Sequence, residues 1–189
     1  MMPYFSDTDA RSIIQRTYEA ARAEDRAVAD SLYAPDELAG LPEGAVALAL
    51  GVGNPVRHAG VGPGEIVLDI GCGAGIDTLI AARRAGRDGR AHGLDMTPAM
   101  LERARQHAAL TGFPNVQFHE GLMEALPFAD ASIDVVVSNG TLNLSTRKSR
   151  ALAEMQRVLR PGGRLALADF VLGETLPEEI LRDPTALAA

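Results

Sequence analysis

A glycine-rich turn and a carboxylate twenty residues beyond it are the groups in this chain best suited to holding a ligand. The turn, residues 71–75, directly follows the apolar run Ile66–Ile70, and glycine lets the backbone approach a ligand closely. Asp95 ends a second predicted strand, where a carboxylate can accept hydrogen bonds from both hydroxyls of a ribose. Together the two motifs predict a cradle for a nucleotide-type cofactor.

The spacing of the glycines separates two kinds of nucleotide site. A dinucleotide fingerprint needs its third glycine three places after the second, where this chain has Ile76. The glycines fall instead at Gly71, Gly73 and Gly75, which argues against NAD and FAD. Packing alone could also explain a glycine turn after a strand, and Asp95 could simply cap the helix that follows.

Alternating strands and helices would place these motifs at one edge of a sheet. Predicted strands cover residues 66–70, 90–94, 116–120, 132–138 and 164–171, with helices at 76–84, 98–110 and 148–159. The last helix would bury Leu152, Met155 and Leu159 on one face, before a turn at residues 161–163. This pattern is typical of an α/β fold with a doubly wound, mostly parallel sheet that binds ligands at the carboxyl ends of its strands.

Residues 1–63 and residues 64–189 form the two predicted units of the chain. Helical spacing predicts one helix from Asp7 to about Ala29, capped by Asp7 or Thr8. Glycine and proline punctuate residues 32–63, which we expect to fold over the second unit and to cover its ligand.

Composition limits the compartment and the partners. A net charge of −7 disfavours nucleic acid, and the longest apolar stretch is far shorter than the roughly 20 residues that span a bilayer. Cys72 is the single cysteine, so no internal disulfide can form, and residues 1–10 do not resemble a signal peptide. We therefore predict a cytoplasmic protein.

The remaining titratable groups give weaker indications, and none is identified as a catalytic base. Glu124 and Asp77 are predicted to be helix-start or solvated carboxylates, and Cys72 an inert thiol. Tyr18 and Tyr33 could enter a substrate pocket, although tyrosine on an apolar helical face more often belongs to the core. The histidines lack metal-ligand spacing and are predicted on the surface or in loops: His58, His92, His107 and His119.

From about residue 64 to residue 171 the chain resembles the class I S-adenosylmethionine-dependent methyltransferases, whose Asp-x-Gly-x-Gly-x-Gly motif begins here at Asp69. Within that class it is similar to the arsenite methyltransferases. The matching segments are residues 51–55, 73–77, 93–97, 138–144, 160–165 and 176–179.

The resemblance implies S-adenosylmethionine as the cofactor and assigns eight residues to it. Those residues are Asp69, Gly71, Gly73 and Gly75 at the methionine portion, Asp95 and Met96 at the ribose and adenine, Met123 along the adenine, and Asn139 near the sulfonium. Asp69 could instead bond only loop amides, and Asn139 could be a turn residue that ends its strand.

The metalloid acceptor of the resembling family meets a chemical obstacle in this chain. That family holds As(III) with cysteine thiolates, because As(III) is soft and thiophilic. One such cysteine precedes Gly-Asn-Pro and another follows Ser-Asn, where this chain has Val52 and Gly140. We therefore predict methyl transfer to a small molecule or a metalloid, with arsenite disfavoured because the thiol ligands are missing.

The family pattern continues past the fifth strand with a helix and two further strands, for which only residues 172–189 remain. The sheet is thus predicted to lack its last two strands, and residues 164–171 to present an unpaired apolar edge. A second copy in a homodimer, or another partner, could cover that edge. Two alternatives to an independent enzyme stay open: a noncatalytic cofactor-binding or partner-regulating subunit, and a truncated fragment.

Overall fold

The structure is a computed structural model that describes residues 5–22, 25–174 and 176–188. Its strands are β1 (Ile66–Ile70), β2 (Arg90–Asp95), β3 (Val116–Glu120), β4 (Ile133–Asn139) and β5 (Leu159–Ala168). All pairs are parallel, in the order β3-β2-β1-β4-β5. The winding direction reverses between β1 and β4, which confirms the predicted doubly wound α/β fold and marks the carboxyl ends of these strands as the expected ligand site.

The helices cover both faces of the sheet and extend beyond it. They are α1 (Asp7–Ala20), α2 (Ala27–Leu32), α3 (Pro35–Leu38), α4 (Glu43–Ala47), α5 (Pro55–Ala59), α6 (Ile76–Ala85), α7 (Pro98–Thr111), α8 (Lys148–Val158), α9 (Glu178–Leu181) and α10 (Pro184–Leu187), with a 3-10 turn at Leu142–Leu144. None of those described is both long and apolar enough to cross a membrane.

The prediction of a single N-terminal helix to Ala29 was wrong. Helix α1 ends where Ala21 turns to extended backbone, and the Arg22 guanidinium donates to the carbonyls of residues 19–21. These bonds satisfy carbonyl groups that a helix end leaves without partners. The predicted start at Asp7 is confirmed, but the cap is Ser6 rather than Asp7 or Thr8, because the Ser6 hydroxyl accepts the cap bond from the Asp9 amide.

Residues 32–63 pack against the sheet rather than forming a loose cover. Leu38, Val46 and Val56 belong to the same buried cluster as Val67 and Ile80. This packing places part of the same stretch, residues 48–53, at the carboxyl ends of the strands. There it borders the cleft described below.

β5 begins five residues earlier than predicted, and the turn at residues 161–163 lies inside it. Ile133 pairs with Leu159 but Val135 pairs with Arg164, so the extra residues of β5 bulge out between two ladder positions. A bulge accommodates residues that have no partner across the ladder. The predicted turn residues therefore form a bulge within β5 instead of a turn that precedes it.

The helix before β5 buries Met155 as predicted, but the rest of its buried face differs from the prediction. Helix α8 turns Ala151, Met155 and Val158 inward, spaced as one helical face, while Leu152 is 39% exposed. Leu159 is already the first residue of the strand. The error arose because β5 begins directly where α8 ends. No loop separates the helical spacing of apolar residues from the strand spacing.

Among the described residues β5 pairs only with β4, which confirms the predicted apolar edge. Leu165 and Leu167 are each 39% exposed on this strand. The chain then runs on through Phe170 and Val171, which are more exposed still.

Two histidines occupy the sheet, so the prediction of surface or loop positions was wrong for them. His92 lies in β2 with 8% of its surface exposed, and its Nδ1 is 3.0 Å from Nε2 of His119 on β3. Both rings pack against Phe128. Burial, with His119 nearby, lowers the pKa of His92 to about 4, so its ring is neutral at physiological pH.

Candidate functional site

One cleft lies where β1, β2 and β4 end, and it encloses about 1090 Å³ including the solvent at its mouth. Seven of the eight predicted site residues line it: Asp69, Gly71, Gly73, Asp95, Met96, Met123 and Asn139. The structure therefore brings these seven residues together at one place in the fold.

The eighth residue, Gly75, shapes the turn from outside this lining. It precedes α6 with φ of 96°, and a Cβ at this position would come within 3.2 Å of the Ala104 Cβ on α7. Glycine is therefore required for backbone conformation and for close helix packing.

The glycine loop between β1 and α6 is held against β2 with its backbone open to the cleft. The Gly71 amide donates to the Leu94 carbonyl at 2.7 Å, and a Cβ at Gly71 would collide with Thr141. Gly73 has φ of 50°, and nothing lies within 4 Å of where its Cβ would stand. A ligand can therefore approach the loop backbone at Gly73 without a side chain in the way.

Asp95 fastens this loop to the next helix. One carboxylate oxygen accepts from the Gly73 amide at 2.9 Å, and the other accepts from the Thr97 amide at 2.8 Å, just before α7. Each oxygen can accept a further bond, and the side chain lines the cleft. Burial raises the pKa of Asp95. The alternative of a helix-start role is thus partly correct, and it coexists with a surface that faces the ligand space.

Two more buried carboxyl groups stand beside the loop. Asp69 accepts from the Thr78 hydroxyl at 2.6 Å, and Asp77 accepts from the Tyr33 hydroxyl at 2.9 Å. Asp77 is at the helix start as predicted, but it is buried rather than solvated.

Burial raises the pKa of Asp69 well above its usual range, and the nearby Asp77 carboxyl adds to the increase. Burial likewise raises the pKa of Asp77 to about 6. Neither group, nor Asp95, forms an ion pair with a residue that the structure describes. The sheet side of the cleft is therefore suited to a cationic ligand.

Asn139 ties the wall of the cleft to the end of β4. Its Oδ1 accepts from the amides of Val52 at 2.8 Å and Gly53 at 3.1 Å, while Nδ2 donates to the Gly53 carbonyl and to Asp77. A Cβ at Gly51 would lie within 2.2 Å of the Asn139 amide nitrogen. Asn139 thus lines the cleft and also positions the segment that closes it.

Replacing Asn139 with alanine is expected to destabilise the fold by about 2 kcal/mol, because two partly buried backbone amides lose their acceptor. Urea unfolding followed by circular dichroism measures this loss. Asn143→Ala is the matched control, since Asn143 also makes amide bonds but at an exposed position. Equal losses in the two variants would contradict the role assigned to Asn139.

Helix α1 forms the wall opposite the sheet. The Asp7 carboxylate accepts from the Thr146 hydroxyl at 2.6 Å and pairs with Arg147, and the Gln15 amide donates to the Met96 carbonyl at 2.8 Å. These bonds join α1 to the loops after β4 and β2. The sequence reasoning identified the helix but not these contacts.

The cleft-facing side of α1 is a helical stripe, comprising Asp7, Ala10, Arg11, Ile14 and Tyr18. Tyr18 therefore reaches the cleft, whereas Tyr33 is a core residue bonded to Asp77. Arg11 was missed, although its i+3 and i+7 spacing to Ile14 and Tyr18 was a usable signal.

Glu124 is buried, so its prediction as a helix-start or solvated carboxylate was wrong. It accepts a hydrogen bond from the Ser145 hydroxyl and lies on the cleft lining. The short segment after β3 folds back towards the end of β4, and this non-local contact was invisible in the sequence.

The positions at which the resembling family carries cysteines lie together in this chain. A Cβ built on Gly140 would be 3.7 Å from Cγ1 of Val52, beside the end of β4. Neither position supplies sulfur. Cys72 lies on the glycine loop, and burial raises the pKa of its thiol well above the usual range, which agrees with the predicted inert role.

A doubly wound parallel sheet, a glycine loop after β1 and a carboxylate at the end of β2 define a Rossmann-like, nucleotide-binding class of fold. A family model described as a methyltransferase domain matches residues 62–189. The chain belongs to this methyltransferase family.

Individual relatives share the chain's sequence and fold. An arsenite methyltransferase of Halobacterium salinarum is 44% identical over 82% of this chain and 39% of its own length. A ubiquinone/menaquinone biosynthesis C-methyltransferase of a Marinomonas strain is 40% identical over 62% of this chain and 47% of its own length. This chain therefore spans less than half the length of either curated relative.

A solved structure gives the same picture. The crystal structure of an arsenic(III) S-adenosylmethionine methyltransferase from Chlamydomonas reinhardtii superposes with a TM-score of 0.70 and 39% identity. The match covers 77% of this chain and 51% of that one.

Proposed function

We propose that this chain transfers the methyl group of S-adenosylmethionine to a small organic acceptor bound between the sheet and α1. The observation that carries the proposal is a cleft that combines an open glycine backbone with the buried carboxyl groups of Asp69 and Asp77 and the half-buried one of Asp95. The sulfonium and ammonium groups of the cofactor are cations that such a surface stabilises. The chemistry of the donor set therefore fits this cofactor.

The residues on the sheet side of the cleft would each bind a different part of the cofactor. Asp69 and the backbone of Gly71 and Gly73 would hold the methionine portion, Asp95 the ribose hydroxyls, and Met96 with Met123 the adenine. When bound, the cofactor supplies an electrophilic methyl group on sulfur. The chain contributes by orienting both reactants and excluding water, which are the effects that dominate a direct displacement.

The function proposed for Asn139 and Gly75 is indirect. Asn139 would set the distance between the end of β4 and the segment at residues 51–53, since its side-chain amide already bonds three backbone groups there. Gly75 would fix the loop curvature by allowing α6 to start against α7.

The proposed acceptor is organic because the soft ligands for a metalloid are missing. Val52 and Gly140 are adjacent but carry no thiol, and Cys72 lies on the cofactor side of the cleft. The two curated relatives act, by their names, on arsenite and on quinone precursors. The absence of both thiols favours an organic acceptor for this chain.

Calorimetric titration of the purified chain with S-adenosylmethionine tests the proposal directly. We expect saturable binding with one site per chain, followed by methyl transfer to a member of an acceptor panel. A folded chain that binds no cofactor would refute the proposal.

The exposed edge of β5 favours a second candidate, a noncatalytic subunit that binds the cofactor and a partner through this edge. Cofactor binding without methyl transfer to any acceptor, together with a mass of two chains or more in solution, would support this candidate instead.

Acidification is expected to weaken cofactor binding. The pKa of Asp77 is about 6, so this carboxyl gains a proton as the pH falls from 7.5 to 5, while the sulfonium keeps its charge. A nearby cation favours the ionised carboxylate, and by linkage the affinity must fall as that carboxylate is neutralised. Titrations at the two pH values should show a loss of about tenfold.

Asp77→Asn provides the control for this pH effect, because it removes the titrating group and keeps the side-chain shape. We expect its cofactor affinity to be weaker at pH 7.5 and nearly flat across the range. A wild-type affinity that does not change with pH, in a chain shown by circular dichroism to stay folded, would contradict the electrostatic argument.

A further inference from the structure

The two walls of the cleft differ in the chemistry that they offer. The sheet side presents the carboxyl groups of Asp69, Asp77 and Asp95, whereas α1 presents the hydrogen-bond donors of Arg11 and Tyr18. Arg11 and Tyr18 are seven residues apart, so both lie on the same helical face. A cation suits the first wall, and a ligand rich in acceptor atoms suits the second.

The guanidinium of Arg11 forms a long ion pair with Glu124 but no hydrogen bond within the described part of the chain. Its Nη2 is 3.9 Å from Oε2 of Glu124, which is beyond hydrogen-bond distance. The other oxygen of Glu124 is occupied by Ser145, and Asp7 is occupied by Thr146 and Arg147. The acidic residues around Arg11 therefore leave its planar fork of donors free for a ligand.

Tyr18 offers a second donor on the same wall. In the described part of the chain its hydroxyl has no hydrogen-bond partner, although the ring is half-buried and borders the cleft. Burial raises the pKa of Tyr18, and the nearby Asp95 and Asp169 add to the increase. The phenol therefore stays protonated, and able to donate, throughout the neutral pH range.

Apolar side chains lie between these two donors and beside them. Ile14 stands between them on α1, and Leu48, Leu50 and Leu144 line the adjoining parts of the cleft. Leu50 is 51% exposed, which leaves an apolar surface available to a ligand. Arg11 and Tyr18 are separated along the helix axis by about 10 Å, the length of a small organic molecule.

We propose that the acceptor is a small organic acid with an apolar body, whose carboxylate or equivalent oxyanion is bound by Arg11, with Tyr18 as a second donor. This inference rests on the function proposed above. A guanidinium can bind a carboxylate through two parallel hydrogen bonds, which fixes orientation as well as position. Arg11 thereby selects the acceptor by charge and orients it for methyl transfer.

The methionine portion of the cofactor also carries a carboxylate. A carboxylate bound by Arg11 could therefore belong either to the acceptor or to the cofactor. The experiment must separate them. We would titrate the chain, saturated with the product S-adenosylhomocysteine, with benzoate, benzyl alcohol and benzylamine, which share an apolar ring and differ in charge. The same probes would be titrated into the chain without cofactor, so that anion binding is measured even if the cofactor does not bind.

Arg11→Gln is the test variant, because glutamine favours a helix and removes the charge. Arg16→Gln is the matched control, since Arg16 is exposed on the same helix and is absent from the cleft lining. We expect benzoate to bind the wild type about tenfold more tightly than benzyl alcohol does, and Arg11→Gln alone to remove this preference. The affinity for S-adenosylhomocysteine should change by less than about twofold in both variants.

Two outcomes would overturn the inference. If Arg11→Gln weakens S-adenosylhomocysteine binding about tenfold, Arg11 holds the carboxylate of the cofactor. If the wild type binds benzylamine or benzyl alcohol as tightly as benzoate, the acceptor site does not select an acid. Failure of the wild type to bind any cofactor is a distinct result, which would refute the proposed function and is seen before a probe is added.

Discussion

Replacing Asp95 with alanine is expected to weaken S-adenosylmethionine binding by about 100-fold. The substitution removes an acceptor for two ribose hydroxyls, and each charge-assisted bond contributes about 1.5 kcal/mol. It also releases the amides of Gly73 and Thr97, so the glycine loop loses its tether to β2. Calorimetric titration of wild type and variant measures the effect.

Two companion variants separate binding from folding. Asp95→Asn keeps one oxygen for the loop amides, so it should lose affinity while keeping more of the thermal stability of the wild type. Asp88→Ala, at an exposed position before β2, should change neither. If Asp95→Ala bound the cofactor like the wild type, the cradle would have to lie elsewhere in the cleft.

Changing Val52 and Gly140 together to cysteine is expected to create arsenite binding that the wild type lacks. The two positions face each other closely enough for two thiolates to share one soft ion, since a Cβ at Gly140 would be 3.7 Å from Val52 Cγ1. Loss of two titratable thiols on addition of arsenite, measured without oxygen after the reductant has been removed, detects the site.

The double change has a structural cost that its control must share. Gly140 has φ of 68°, where a side chain costs about 1–2 kcal/mol, so the variant should melt a few degrees lower. Val52→Ser with Gly140→Ser carries the same strain without sulfur and should not bind arsenite. Single cysteine variants should bind at least about tenfold more weakly than the double variant. Equal binding by the single and double variants would show that the two positions do not act together.

The parts of the fold that the sequence predicted well depend on local signals. The strand Ile66–Ile70 is an apolar run bounded by a glycine turn, and Gly86 and Gly112 end their helices as predicted. Asp95 could be placed because β2, which it ends, pairs in parallel with β1, which precedes the glycine loop. The two strands are also close in sequence.

The parts that could not be predicted depend on contacts between distant residues. The Asn139 amide bonds a segment some 86 residues away, and the Thr146 hydroxyl bonds Asp7 across 139 residues. Neither the identity of an amide nor that of a hydroxyl indicates its partner at such separations. The buried position of His92 was missed for a related reason. A strand that is covered on both faces shows no alternation of apolar and polar residues from which burial could be predicted.

The buried carboxyl groups of the cleft make the stability of the fold depend on pH. Folding raises the pKa of Asp77 from its ordinary value of 3.8 to about 6, so the cofactor-free fold loses stability as the pH rises through this interval. A ligand that binds only the folded chain restores stability by mass action. Under the proposed function, a shortage of S-adenosylmethionine in a cell that turns over unfolded chains would therefore reduce the amount of this protein.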